Sequence, residues 1–248
     1  MGSTHALSGW CAGLAVAPAL GLSPVPTVVF ATVTAGYALA PDLDCGSATA
    51  SRLLGPVTGL VSTGLRAASR TLYAATKGPR DENWSGEHRH LSHTVLFALA
   101  AGGLTALATA LGGSWATLAV LLFGVLLAQA ALGDWIALVA AGGGLVLALH
   151  GFTAALDDTR PWLWIAVTLG CVTHVAGDGL TLAGVPALAP IPIRGEVWFE
   201  LGSPRVLRFR TGGTVEHRFV FPVFAVLGVL LLPGVWDTAM ALFHHHNA

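Results

Sequence analysis

The chain has 248 residues, 54% of them hydrophobic and only 10% charged, with a mean hydropathy of +0.71. A soluble domain carries about 25% charged residues, so an ordinary soluble globule is excluded, and the abundant apolar surface excludes disorder. Lys+Arg (12) and Asp+Glu (13) nearly cancel to a net charge of −1, which argues against a dedicated nucleic-acid binder.

The first charged side chain is Asp42, and between Val95 and Leu156 the only Asp, Glu, Lys or Arg is Asp134. Crossing the hydrocarbon takes about 20 apolar residues. The apolar runs predict about seven spans, near 6–22, 27–41, 93–111, 115–132, 135–151, 161–180 and 219–233. This is an all-α membrane bundle forming one embedded domain over 1–248. Its 31 glycines suit close helix packing, because small residues let backbones approach. The first run has a second reading as a signal peptide with Ala15-Val16-Ala17 at its cleavage site, but it lacks a basic leader. Cys11, Cys45 and Cys171 form neither a disulfide framework nor a CxxC site. The oligomeric state is not set by these features.

Two stretches hold most of the polarity. Arg52, Arg66, Arg70, Lys77, Arg80 and Arg89 fall in one, an interfacial loop of about 45–92; Arg194, Arg205, Arg208, Arg210 and Arg218 fall around the other, a loop of about 183–218. Basic excess marks the cytoplasmic side. Gly59–Thr76, with Leu60, Leu65 and Leu72 among Arg66 and Arg70, reads as an amphipathic interfacial helix or a solvated loop.

Histidines and carboxylates gather at the ends of the predicted helices. These are His5, Asp42 and Asp44 in Pro41-Asp42-Leu43-Asp44, His88 and His93 around Arg89, and His174 with Asp178. Ionisable groups at membrane depth are costly and usually functional. From a cytoplasmic N-terminus, the predicted topology returns all four clusters to the cytoplasmic face. His174 and Asp178 are i and i+4, on one helix face. His88 and His93 are five apart, which places one in a loop and the other in the first helical turn. Imidazole with carboxylate suits zinc, with manganese or iron as alternatives. Seven candidate ligands exceed the three or four of one catalytic zinc, which favours two or more ions or some donors in supporting roles. Taken singly, each has a plainer reading as a terminal polar residue, a cap or an interhelical hydrogen-bonding partner. His90, Asp134, His150 and His217 carry weaker signals, and His244-His245-His246 is set aside as adventitious or a tag remnant.

These motifs resemble the YdjM-like family of bacterial inner-membrane, metal-dependent hydrolases. His5 matches its early histidine, Pro41-Asp42-Leu43-Asp44 its Pro-Asp-hydrophobic-Asp, His88 to Thr94 its His-Arg-Gly-x-Thr-His-Ser, and His174, Asp178, Thr181 and Gly184 its last motif. His90 replaces the family's glycine, Ser92 and Thr94 exchange its threonine and serine, and Cys45 stands where histidine is common. Cys45 reads as a soft ligand or, preferably, a small buried residue. The resemblance implies a helical membrane bundle, distantly similar to the zinc-dependent phospholipase C and P1-nuclease group, and it implies hydrolysis more firmly than any substrate.

Together these readings lead to an expected hydrolase with its metal site at the cytoplasmic face of the inner membrane. Its substrate is a phosphoester in a lipid or other amphiphile, since Arg89 beside the ligands can pair with phosphate oxygens. Arg89 and Asp44 are the catalytic candidates; Arg89, Thr94 and Thr181 are candidates for orienting substrate or ligands. Arg89 has an equal reading as a snorkelling interfacial arginine. The rivals are a metal-ion transporter, whose ionisable residues should continue across the bilayer, and a bundle stapled by a structural metal.

Overall fold

A computed structural model describes residues 1–149, 151–235 and 238. The described residues are all-α, with three isolated β-bridges and no sheet. The main helices are Gly2–Val16, Pro24–Tyr37, Pro56–Thr76, Val95–Leu132, Asp134–Leu149, Phe152–Gly179 and Phe221–Leu230.

The first two form a hairpin. A 3-10 turn over Ala17–Leu20 closes on Gly21, whose φ of 71° suits glycine, and Pro24 opens the second helix at a position where a missing N–H costs nothing. Pro24–Tyr37 is the central element, with Phe30, Val33 and Tyr37 packed among Leu127, Leu163 and Val167. Glycine makes that packing possible. A Cβ on Gly36 would lie 1.8 Å from the carbonyl oxygen of Gly124, so the second helix and Val95–Leu132 meet backbone to backbone.

The expectation of about seven spans is corrected. Among the described residues only Pro24–Asp44 and Val95–Leu132 are long and apolar enough to cross a bilayer. Gly2–Val16 has 15 residues, a rise of about 22 Å against a hydrocarbon thickness of about 30 Å. Asp134–Leu149 and Phe221–Leu230 are likewise short. Phe152–Gly179 is long but carries Asp157, Asp158 and Arg160 near its start and Asp178 near its end. The runs expected at 93–111 and 115–132 are both present within Val95–Leu132, as two helices that meet at a kink at Gly113, where φ is 57° and ψ −143°. Leu111 and Trp115, each 81% exposed, flank that kink.

The two basic stretches build one polar layer. Asp81 accepts the backbone N–H groups of Trp198 (2.8 Å) and Val197 (3.1 Å), and the Trp198 indole donates to Thr76 at 3.0 Å. Within this layer Pro56–Thr76 is helical and amphipathic, as the first of its two readings had it. It buries Thr58, Ser62, Ser69 and Tyr73 and exposes Val57, Leu60 and Val61.

Candidate metal centre

Four pieces of chain converge. His5 arrives on the first helix, where Thr4 donates to the fully buried Glu216 carboxylate at 2.7 Å. Gly177 leaves room for it, since a Cβ there would stand 3.0 Å from His5 Nδ1. Asp42 and Asp44 lie in the 3-10 turn Pro41–Asp44, steadied by Ser51, whose hydroxyl donates to the Cys45 carbonyl at 2.7 Å. His88 sits in an irregular loop and His93 ends the 3-10 turn Leu91–His93, so neither is inside the helix that begins at Val95. His174 and Asp178 share one face of the last turns of Phe152–Gly179.

Two groups result. Asp42, Asp44, His88 and His93 each offer a ligand atom within 4.8 Å of the others, and so do His5, His174 and Asp178. They touch each other: His93 Nε2 lies 3.1 Å from His174 Nε2 and 3.4 Å from Asp178 Oδ2, while Asp178 Oδ1 is 3.3 Å from His5 Nε2. The rings of His5 and His174 stack at 3.9 Å. His93, His174 and Asp44 are fully buried.

Hydrogen bonding decides which nitrogens face inward. A carbonyl oxygen only accepts, so His174 Nδ1 must donate to Ala38 O at 2.7 Å, leaving Nε2 as a lone pair. The carbonyl is available because it follows the last turn of its helix. Ser92 gives its only proton to Asp44 Oδ2 at 2.6 Å, so it accepts from His93 Nδ1 at 3.0 Å. His93 Nε2 is then also an inward lone pair in the neutral ring. Asp42 Oδ1, 3.7 Å from His174 Nε2 and 4.0 Å from His93 Nε2, adds a third acceptor. Acceptors this close and this buried require a cation among them. Burial opposes charging His93, but its contacts with Asp178 and Asp44 outweigh it and raise the imidazole to about 9. A divalent ion fits the same place, and the outward bonds to Ala38 and Ser92 are the supports that metal-ligating imidazoles use.

The remaining side chains take distinct places. Arg89 reaches in from a left-handed backbone of φ 59°, its N–H bonded to Asp44 Oδ2 at 3.1 Å. Its guanidinium lies 3.3 Å from both Asp178 and Thr181 Oγ1. Asp44 also meets His88 Nδ1 at 2.6 Å, so its oxygens hold the His88–His93 loop in place. Thr94 points elsewhere. It caps the long helix by accepting from the Phe97 N–H at 3.0 Å. Cys45, half-buried, contacts Ser47 at 3.2 Å and is in neither group. His90 turns toward Tyr73 and Trp198. Asp134 and His217 are exposed, and His150 and His244 to His246 lie outside the described residues. Sequence reasoning missed Ser92 and Glu216 as supports; a hydroxyl one residue from a ligand histidine and a lone carboxylate before an apolar run were the available signals.

Neither the curated proteins nor the solved structures compared with the chain give a match. The model of the YdjM inner membrane protein family matches residues 1–240, nearly the whole chain. With two His/Asp groups able to hold a metal, this chain belongs to the YdjM family of inner-membrane proteins.

Proposed function

We propose that the protein is a metal-dependent hydrolase of a phosphoester carried by a lipid or other amphiphile, working at the cytoplasmic face of the inner membrane. The observation that carries this reading is Arg89, whose guanidinium lies between Asp178 and Thr181 inside the ligand cluster while remaining partly open to solvent. A guanidinium presents a planar fork of donors that matches two phosphate oxygens.

His5, Asp42, His88, His93, His174 and Asp178 are the ligands in this account, with Asp44 either joining them or holding His88 and His93. One or more divalent ions there, zinc by preference and manganese or iron otherwise, would supply Lewis acidity toward a scissile phosphoryl group. The chain's own contributions are to fix the ligands from behind through Ala38 and Ser92 and to pair Arg89 with charge that develops on the phosphoryl oxygens. Thr181, which donates to Asp178 O at 2.8 Å, keeps its lone pairs toward Arg89 and so orients it. The exposed Val57, Leu60 and Val61 of Pro56–Thr76 support a membrane-borne substrate, since this face suits a headgroup boundary.

The test is release of a phosphorylated headgroup from defined phospholipid vesicles by purified protein. Release should stop on chelation and return with added zinc or manganese. Release that survives complete metal removal would overturn the proposal.

A further inference from the structure

A cavity of about 210 Å³ opens beside the metal cluster, between the two halves of the polar layer, and no step proposed above uses it. Its walls include the aromatic rings of Tyr73, Trp84 and Trp198 and the acidic residues Glu82, Glu196 and Glu200. His90 joins it to the metal centre: this residue lies between His88 and His93 in sequence, and its Nδ1 bonds to the His88 carbonyl at 2.8 Å.

Two of the side-chain donors of these walls are spent elsewhere. Tyr73 donates its hydroxyl to the Glu82 carbonyl, and the Trp198 indole donates to Thr76. His90 Nδ1 must donate, because its partner is a carbonyl, so Nε2 is left as a lone pair on a side chain only 8% exposed. Nε2 has no hydrogen-bond partner among the described residues, and the carboxylates of Glu82, Glu196 and Glu200 have neither a hydrogen bond nor an ion pair there. Asp81 differs, since backbone N–H groups of Gly78, Val197 and Trp198 occupy it. Burial and the neighbouring charges of Glu82 and Glu196 raise the Glu200 carboxyl above its ordinary range, and the cations of Arg89 and Arg208 offset only part of that. What remains lining the cavity is aromatic faces, carboxylates, the Trp84 indole N–H and one imidazole lone pair.

We infer that this cavity binds an organic ammonium group that carries N–H donors. Aromatic faces attract ammonium through the ring quadrupole, and His90 Nε2 asks for an N–H that a quaternary ammonium lacks. A bare divalent ion is the poorer fit, because these acids do not converge into a ligand group among the described residues, as the two His/Asp groups do. The protein's own cations already sit on rings of this region, Lys77 at 5.9 Å from the Tyr73 ring and Arg194 at 5.7 Å from that of Phe199. On the hydrolase reading, on which this step rests, the ammonium is the amino end of a substrate headgroup whose phosphoester reaches Arg89.

Calorimetric titration of the full chain in detergent, with ethanolamine and with choline, tests the site without recourse to activity. Ethanolamine should bind saturably and more tightly than choline, and Glu196→Gln with Glu200→Gln should weaken it about tenfold. Wild-type affinity in that double variant, or no saturable binding by wild type, would overturn the inference; choline binding as tightly as ethanolamine would overturn the role of His90. Competition by phosphatidylethanolamine in nanodiscs identifies a lipid headgroup as the source, and ethanolamine binding without such competition identifies a free amine; either supports the cavity. Ammonium binding without any phosphoester hydrolysis leaves this site standing and removes the hydrolase reading, whereas hydrolysis without ammonium binding does the reverse.

Discussion

His93 and His174, 81 residues apart, bring their Nε2 atoms within 3.1 Å of each other in a fully buried site. Both rings have their Nδ1 atoms bonded outward, to Ser92 and to Ala38, so with His93 neutral two lone pairs face the same point, with Asp42 and Asp178 close by. Purified protein should therefore contain a transition metal. His174→Ala with Asp178→Ala should lose it, as measured by elemental analysis after deletion of His244 to His246. Undiminished metal in that variant would sink the assignment.

Ser92 is the support whose removal isolates the outer shell. Ser92→Ala takes away the 2.6 Å bond to Asp44 and the acceptor of His93 Nδ1 while sparing every ligand. Losing such a support costs roughly 10- to 100-fold in metal affinity. Competition with a chelator should show that loss, with helical content by circular dichroism unchanged.

Gly36 tests the packing that carries the ligands. Gly36→Val would drive side-chain atoms into the Gly124 carbonyl, between two backbones that have no flexible group to yield. Overpacking of this kind costs about 1–3 kcal/mol or more, so thermal melting in detergent should fall clearly. An unchanged melting temperature would contradict the backbone contact.

Glu216 sets a pH dependence. Burial raises its carboxyl, but the Thr4 hydroxyl and the Gly212 N–H, each 2.7 Å away, together with the Met1 ammonium at 3.3 Å, outweigh it and hold the group below its ordinary value. A carboxyl lowered in the folded state stabilises above its unfolded value, and that contribution is lost as pH falls through the folded one. Between about pH 6 and pH 3, wild type should lose more stability than Glu216→Gln. Parallel melting curves for the two proteins would contradict the anchoring role.

The candidate ligands were legible because they are polar residues at the ends of long uncharged runs, and their motifs carry the family pattern from His5 to Gly184. The number of spans was not, because hydropathy reports apolar content and is blind to where a helix stops. Leu14 to Leu22 looks continuous, yet the helix ends at Val16, whereas the Gly112-Gly113-Ser114 stretch between the runs 93–111 and 115–132 does mark the kink where two helices meet. The supports were hidden for a different reason. Ala38 acts through a backbone carbonyl, which every residue has, and only the fold directs it at His174. Thr94, attractive beside His93, serves the helix that starts there.

The central claim is that Arg89 holds a phosphoryl group at the metal centre, and turnover of phospholipid vesicles by wild type and by Arg89→Lys, at equal metal loading, tests it most directly. Lysine keeps the charge and loses the planar fork. The account predicts turnover by the wild type and a fall on the order of a hundredfold in the variant, about 2.7 kcal/mol of lost transition-state stabilisation. Equal rates in the two proteins, or no turnover of any phosphoester by metal-loaded wild type, would contradict it.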